Sequence, residues 1–310
     1  MSIRYVSDTY LIRQIGEAGL IERLTKRLGR VPSVRVGIGD DAAVLDGPSG
    51  SRLLFASDML VEGVHFTRRD VPARRIGWKA LACNVSDIAA MGGIPRWAVV
   101  SLGVPPATPV RFVEELYDGL ARCARRFGMA VVGGDTVRAP QVVVDVAILG
   151  TVSPNRLTLR SGSRVGDVLF VTGRLGGSLK SGRHARFVPR LREAQALTRR
   201  VRVHAMMDLS DGLAADLWQM SRASRVVLRV DATRIPVARA AGTVHHALMG
   251  GEDFELLFAV GKRHAPRVPR RLGTTPVTPI GSAIRRGVGV ELCERDWGIR
   301  PLLPTGFRHF

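Results

Sequence analysis

The stretch Gly37-Ile38-Gly39-Asp40-Asp41-Ala42-Ala43 decides which α/β architecture this chain adopts. Its glycine spacing imitates G-x-G-x-x-A, the dinucleotide fingerprint of a doubly wound sheet. The acids exclude that reading, because Asp40 and Asp41 stand where a pyrophosphate needs amide donors and no negative charge. No βαβ unit with a distal ribose-binding acid follows. The glycines instead let the chain turn so that an acid points into a shared site. Solvated acids on a structural turn are the plainer alternative.

Working outward, acids recur in similar short settings. Ala56-Ser57-Asp58 closes a strand that starts at Arg52, and His65 follows as either an anion ligand or a satisfied polar residue. On a helix from about Arg74 to Met91, Ala80, Asn84 and Asp87 share one face, and Trp78, Leu81, Val85 and Ile88 another. Val132-Gly133-Gly134-Asp135-Thr136 puts glycines and an acid directly after a strand, where amides can meet phosphate while the acid holds a metal. Asp208-Leu209-Ser210-Asp211-Gly212 opens a helix with one more acid than capping needs. Gly250-Gly251-Glu252-Asp253 brings acids to the entrance of another strand. With 46 Lys and Arg against 27 Asp and Glu, the chain has little use for acids as general solvation. Their gathering at turns points to hard divalent cations. A Walker A loop is excluded, since Gly173 to Ser181 lacks glycine before Lys180. Without a Cys/His metal spacing or an activated nucleophile, the pattern indicates magnesium-assisted chemistry on phosphates.

The 310 residues suffice for two domains, divided as 1–152 and 153–310, with Ser153 to Asp167 as the boundary segment. A first amphipathic helix is expected from Thr9 to Arg27, capped by Asp8, with Leu11, Ile12, Ile15, Leu20, Leu24 and Leu28 on its buried side. A helix from Thr108-Pro109 to Phe127 and strands at Met129 to Val132 and Gln141 to Val152 complete the first half. The second half reads as strands at Val168 to Thr172, Val226 to Val230 and Phe254 to Val260, with helices after Pro189 and from Gly212 to Ser221.

No run of about eighteen apolar residues predicts a membrane span. The first residues carry charges where a signal peptide needs an apolar core. The 3 cysteines are far apart and read as reduced thiols, which implies a cytoplasmic enzyme. The net charge of +19 raises the question of nucleic acid. The basic residues read as scattered, with no aromatic platform and no recognition motif, so a solvated Arg-rich surface is expected and not a specific nucleic-acid site.

In order and spacing these motifs resemble the thiamine-monophosphate kinase family, in the superfamily of aminoimidazole ribonucleotide synthetase and selenophosphate synthetase. The closing Gly306-Phe307-Arg308-His309-Phe310 is similar to that family's G-[WYF]-D-H-F. The resemblance implies an α+β / α/β fold of two synthetase-like domains, the N-terminal sheet forming a barrel across a homodimer. It implies transfer of the γ-phosphoryl of ATP onto thiamine monophosphate, with several Mg2+ ions. Carried over by position, the magnesium ligands are Asp41, Ser57, Asp58, Asp87, Asp135, Asp208 and Asp211, and catalysis rests on Asp58, Asp87, Asp135 and Asp211. ATP contacts fall on Tyr117, Gly134, Asp135, Arg160 and Ser210, and thiamine-phosphate contacts on His65, Glu252 and Phe307.

Three positions depart from the family. Ala56 replaces a metal-touching hydroxyl, the 173–208 segment is short although Arg183-His184 to Pro189-Arg190 keeps the family's R-H-x-x-P-x-P-R wording, and Arg308 replaces an acid. The alternative is another ATP-using enzyme of the superfamily. Selenophosphate synthetase would need a cysteine before Cys83, and a hydrogenase maturation factor would end in a reactive cysteine.

Overall fold

The computed structural model describes residues 11–28, 31–295 and 298–309. The first half supplies α1 (Ile12–Thr25), β1 (Val34–Val36), β2 (Ala43–Asp46), β3 (Arg52–Val61), α2 (Ala73–Ala90), β4 (Ile94–Val104), α3 (Val110–Phe127), β5 (Ala130–Arg138) and β6 (Val143–Val152). Its strands form one sheet in the order β1-β2-β3-β6-β4-β5. Only β4 and β5 pair in parallel there, and α3 provides the crossover that a parallel pair requires.

The second half supplies β7 (Val168–Thr172), α4 (Leu191–Arg200), β8 (Val203–Asp208), α5 (Leu213–Ser224), β9 (Val226–Asp231), α6 (Val244–Met249), β10 (Leu256–Val260), β11 (Arg271–Leu272), β12 (Thr275–Arg286), β13 (Gly289–Glu294) and β14 (Gly298–Pro301). These build a mixed sheet in the order β14-β13-β9-β12-β7-β10-β8, with β11 beside β12. Residues 153–167 hold neither helix nor strand.

The helix that organises the molecule is α2. It packs on α3, on the inner face of the first sheet, and on α4 and β8 of the second. Nearly every side chain from Ile76 to Ala90 is therefore buried, including Lys79, Asn84 and Ser86. One apolar cluster joins Val44, Leu54, Val146 and Ile148 of the first sheet to Phe170, Met206 and Phe258 of the second. The alternate residues Leu169, Val171 and Leu257 pack with α5 and α6 on the opposite face. Both faces of β10 are thus covered, which explains its uninterrupted Leu256-Leu-Phe-Ala-Val260.

Helices α2 and α3 approach through glycine. A Cβ on Gly119 would lie 2.0 Å from the Arg74 carbonyl oxygen, and one on Gly77 would lie 1.9 Å from that of Leu116. Gly119→Ala is expected to destabilise the protein by about 1–3 kcal/mol through overpacking, measurable as a lower denaturation midpoint. An unchanged midpoint would show that the helices separate freely.

Several sequence expectations need correction. The first helix is kinked at Gly16 (φ 64°) and buries no residue; Leu11, Ile12, Ile21, Leu24 and Leu28 are exposed. An apolar stripe indicates a buried face only when another element covers it, and none of the described elements buries this one. Thr9 and the Asp8 cap lie outside the described residues. The strand expected from Gln141 is β6, which starts at Val143 and is paired with β3 on one side and β4 on the other. Strand β3 runs on to Val61, so Ser57 and Asp58 are mid-strand, and Gly133-Gly134-Asp135 lies within β5. Nor are the arginines evenly scattered. Arg156, Arg164, Arg199, Arg200 and Arg202 line one cavity of about 660 Å³ with His204 and no carboxylate.

Candidate active site

Four acids from four elements converge against α2. Asp41 follows the Gly39 turn, Asp58 projects from the inner face of β3, Asp87 sits in the last turns of α2, and Asp208 ends β8. Carboxylate oxygens of Asp41, Asp87 and Asp208 lie within 4.8 Å of one another. Asp58 shares a side-chain hydrogen bond with Asp87. Ser86 Oγ donates to Asp208 Oδ2 at 2.6 Å, so adjacent residues of α2 serve the same centre.

Burial and mutual repulsion disfavour charge here. Asp58 is pushed up to about 6 by burial, and Asp145, Asp41 and Asp211 add repulsion. Asp208 is pushed up to about 8 by burial and by the charge of Asp41. Asp87 is held well above the usual carboxylate range by burial and by Asp58 and Asp208. The cation among them is Arg160, whose Nε and Nη2 donate to Asp41 Oδ1 at 2.8 and 2.6 Å. Its backbone N–H donates to both oxygens of Asp40, each at 3.1 Å.

One arginine does not neutralise this group, and Asp41 Oδ2 is buried with no hydrogen-bond partner. A buried carboxylate oxygen without a donor is costly. Closely set oxygens around such an atom are the donor set of a hard divalent cation. The residues present therefore fit magnesium.

Asp211 stands beside this centre. Burial raises its carboxyl, Glu17 of α1 adds repulsion, and Gln219 Nε2 donates to its Oδ2 at 3.0 Å. Gln219 Oε1 accepts from Arg160 Nη1 at 2.6 Å, which links Asp211 to Asp41. Ser210 is half-buried and its carbonyl accepts from the Glu252 N–H at 2.6 Å.

Ser57 and Asp135 belong to the other face of the first sheet. Register sets Ser57, Ala147, Val99 and Gly133 in one cross-strand row, and Met59, Asp145, Ser101 and Asp135 in the next. Ser57 Oγ donates to Asp145 Oδ1 at 2.9 Å. Asp135 and Asp145 are two strands apart, about 10 Å by strand spacing. Gly134 lies in the row of Asp58 at φ 154°, where a Cβ would strike the Val100 carbonyl. Tyr117 is exposed on α3 and makes no hydrogen bond or ring contact to the acids among the described residues.

The remaining predicted residues form a separate cluster, joined through Lys79. His65 has ring centroids 6.3 Å from Phe307 and 5.2 Å from His309, and its Nδ1 accepts from the Val61 N–H at 3.0 Å. Phe307 is brought there by its N–H, which donates to the Asp211 carbonyl at 3.0 Å. Arg308 donates from Nη2 to the Pro304 carbonyl at 2.7 Å, so the departure from the closing motif finds a backbone acceptor. Glu252 receives Lys79 Nζ at 2.5 Å on Oε1 and lies 3.4 Å from His184 Nδ1 on Oε2. Burial works to raise its pKa, but His184 and Lys79 outweigh it and hold the carboxyl below its ordinary value.

Sequence reasoning missed Asp145, which reads as one polar residue in an apolar strand, and the buried Lys79 and His184. It also missed Asp216, whose Oδ2 accepts from the Gly212 N–H at 3.2 Å and so fixes the loop carrying Asp208 and Asp211. An acid in the first turn of α5 was the available signal.

Comparison with known proteins finds a family match in each half of the chain. Residues 39–152 match the family described as AIR synthase related protein, N-terminal domain, and residues 177–293 match its C-terminal domain. Two mixed sheets with a carboxylate centre on the helix between them thus define a two-domain protein of the AIR synthase-related fold. The thiamine-monophosphate kinase of Rhodopirellula baltica is 38% identical over 313 residues, covering 94% of this chain and 97% of its own. That of Bacillus subtilis is 33% identical, covering 95% and 99%. A solved structure described as AaThiL complexed with AMPPCP and TMP matches with TM-score 0.86 at 32% identity, covering 98% of this chain and 100% of that one. The chain belongs to the thiamine-monophosphate kinase family. The hydrogenase maturation protein HypE in complex with ATP matches at TM-score 0.71 and 21% identity, over 93% of this chain and 96% of its own, and shares the fold alone.

Proposed function

We propose that this enzyme transfers the γ-phosphoryl group of ATP to the phosphate of thiamine monophosphate, giving thiamine diphosphate and ADP. The observation that carries the reading is the adjacency of two unlike surfaces. A buried carboxylate centre is joined to a cluster of His65, Phe307 and Glu252, since the Phe307 N–H donates to the Asp211 carbonyl at 3.0 Å and the Glu252 N–H to that of Ser210 at 2.6 Å.

An acceptor phosphate oxygen forms the new bond to the γ-phosphorus as the bond to the β-phosphate oxygen breaks. The acceptor is largely dianionic near neutral pH, with a second pKa of about 6, so no strong base is required. The barrier is bringing two polyanions together in line. Asp41, Asp58, Asp87 and Asp208 would hold Mg2+, with Asp211 at the rim, and Ser57 and Asp135, on the other face of the sheet, are the further magnesium ligands of this reading. Bound there, magnesium supplies the positive charge that the polyphosphate needs. Arg160 adds a fixed guanidinium, and Tyr117, Gly134, Asp135 and Ser210 are the further ATP contacts of this reading. Phe307 and His65 offer ring faces to the aromatic rings of thiamine, and Glu252 offers charge to its thiazolium.

Product analysis tests the reaction. Thiamine monophosphate should be converted to the diphosphate, whereas free thiamine should not react, because the site aligns an acceptor phosphate. Formation of thiamine monophosphate from thiamine would overturn the reading.

The same reading includes a homodimer and a division into domains at 152/153. Support for the division is that each sheet takes its strands from one side of that point. Support for the dimer is the outer face of the first sheet, where Phe55, Met59, Trp97 and Val99 are exposed, with no described helix over them. Patches of this kind mark contact surfaces. A twin sheet packed there, closing a barrel between subunits, would bury them. Apolar burial at roughly 25 cal/mol per Å² resists salt, whereas the repulsion of two +19 chains is screened within about 10 Å. Sedimentation should therefore find a dimer at both low and high ionic strength. A monomer at micromolar concentration in both would remove the dimer and leave the kinase reading standing.

A cytoplasmic location belongs to this reading, supported by Cys83, Cys123 and Cys293 being free thiols. No described helix is long and apolar enough to cross a membrane. No specific nucleic-acid partner is included, since carboxylates at the centre would repel a phosphate backbone.

A further inference from the structure

The most thoroughly buried cation among the described residues is Lys79, with no exposed surface. Its place is in the middle of α2, where sequence patterning gives no reason for a charge. Nζ donates to the His65 carbonyl at 2.8 Å and to Glu252 Oε1 at 2.5 Å, and lies 3.2 Å from His184 Nδ1. A buried ammonium is retained only where partners of this kind repay its desolvation.

What the ammonium grips is informative. His65 and Glu252 come from separate halves of the chain, and both belong to the cluster read above as the thiamine-phosphate subsite. Glu252 also adopts φ 61°, a left-handed conformation unfavourable for a residue with a side chain. Its neighbours Gly250 and Gly251 could have absorbed the turn without strain. Its backbone is pinned on both sides, the N–H donating to the Ser210 carbonyl at 2.6 Å and the carbonyl accepting from Ser178 Oγ at 2.7 Å. A strained residue fixed at the backbone and clamped at the carboxylate by a buried cation is a pre-set side chain.

Lys79 also lies eight residues before Asp87 on the same helix, about 12 Å along its axis. One rigid element therefore sets the distance between the carboxylate centre and Glu252.

We propose that Lys79 is a positioning residue for the acceptor substrate, holding the Glu252 carboxylate and the His65 main chain in register with the phosphoryl-transfer centre. It acts through Glu252 and does not touch the reacting atoms. This rests on the function proposed above. His184 supports the same clamp, lying on the residues 183–185 turn between the cation and Glu252 Oε2.

The test is a double-substitution cycle in the full-length enzyme, with Lys79→Met, Glu252→Gln and the pair, read as separate KM values for thiamine monophosphate and ATP. Lys79→Met should raise KM for thiamine monophosphate about tenfold to a hundredfold, the range for losing a charged hydrogen bond, with KM for ATP within about twofold. In the Glu252→Gln background the same change should add less than about threefold, because the group it positions is already neutral. A merely structural lysine would lower kcat and shift both KM values alike, in both backgrounds, and that result overturns the proposal. So does a Lys79→Met enzyme with wild-type KM values. Should Lys79→Met alone fail to fold, Lys79→Gln, which keeps a donor without the charge, is read in the same cycle against the same criteria. Absence of wild-type turnover would remove the function and this inference with it. Wild-type turnover without the selective KM effect removes the inference alone.

Discussion

Replacing Asp87 by asparagine is expected to reduce phosphoryl transfer by about a thousandfold, the scale on which removing one group that stabilises transferred charge acts. Asp87 faces Asp58, Asp208 and Asp41 together, so its loss removes charge from the middle of the centre and not from its edge. The fold should survive. Its folded-state pKa lies above the unfolded value of about 4. A group raised in this way favours the fold fully only below its unfolded pKa, and that contribution is lost as pH rises through the folded value. Without metal, Asp87 at or above neutral pH therefore opposes the fold, and asparagine relieves that cost. The metal-free variant should melt no lower than wild type, while the rise in melting temperature on adding Mg2+ should shrink, because a ligand stabilises only what it binds. Asp58→Asn should behave alike. Near-normal turnover of both variants at limiting magnesium would sink the assignment of the centre.

How much of this was legible in the chain depended on whether the signal was local. Asp41, Asp87 and Asp208 were found because acids beside Gly, Ser or Asn stand out in a chain so rich in arginine. Asp58 was found too, but not its relation to Ser57. One step along a strand reverses the side-chain direction, so the two adjacent residues serve opposite faces, which only the register reveals. Strand β4 escaped notice because Pro95 and Gly103 break its pattern. Lys79 was unreadable for a different reason. A lysine on a helix is ordinarily a surface residue, and it is buried here because α2 is covered by two sheets and two helices at once. The misplaced burial of α1 is the converse case, an amphipathic pattern that buries no residue among those described. The family wording around Arg183 and Arg190 was visible, but its purpose depends on a residue more than sixty positions away.

That residue is Glu255, and Glu255→Ala is expected to cost about 3–5 kcal/mol of stability, the range for removing one partner of a buried ion pair. Its carboxylate is 1% exposed and accepts from four donors on three residues. Arg190 Nε and Nη2 donate at 2.6 and 2.5 Å, Thr172 Oγ1 donates at 2.7 Å, and Arg183 Nη2 donates as well. Alanine would leave two guanidiniums, each less than a third exposed, facing an apolar gap. Arg190 would keep Glu193 at 3.5 Å and Arg183 would keep Asp253 at 3.6 Å, both weaker contacts than the one removed. The loss should spread, because residues 183–190 carry more than arginines. Phe187 stacks on Phe254 at 3.9 Å between ring centroids, its carbonyl accepts from Trp78 Nε1 at 2.8 Å, and His184 reaches Lys79. Loosening that segment therefore loosens α2 at the point where it grips Glu252. The expected signature is a large fall in the denaturation midpoint together with a raised KM for thiamine monophosphate. Glu22→Ala, which removes an exposed helix pair with Lys26, should leave both unchanged. A Glu255→Ala protein within about 1 kcal/mol of wild type would mean that Arg183 and Arg190 find other partners. The 183–190 segment would then be held to the second half by Phe187, by Arg183 Nη2 on the Asp253 carbonyl at 2.9 Å and by Arg190 Nη1 on Thr275 Oγ1 at 3.1 Å.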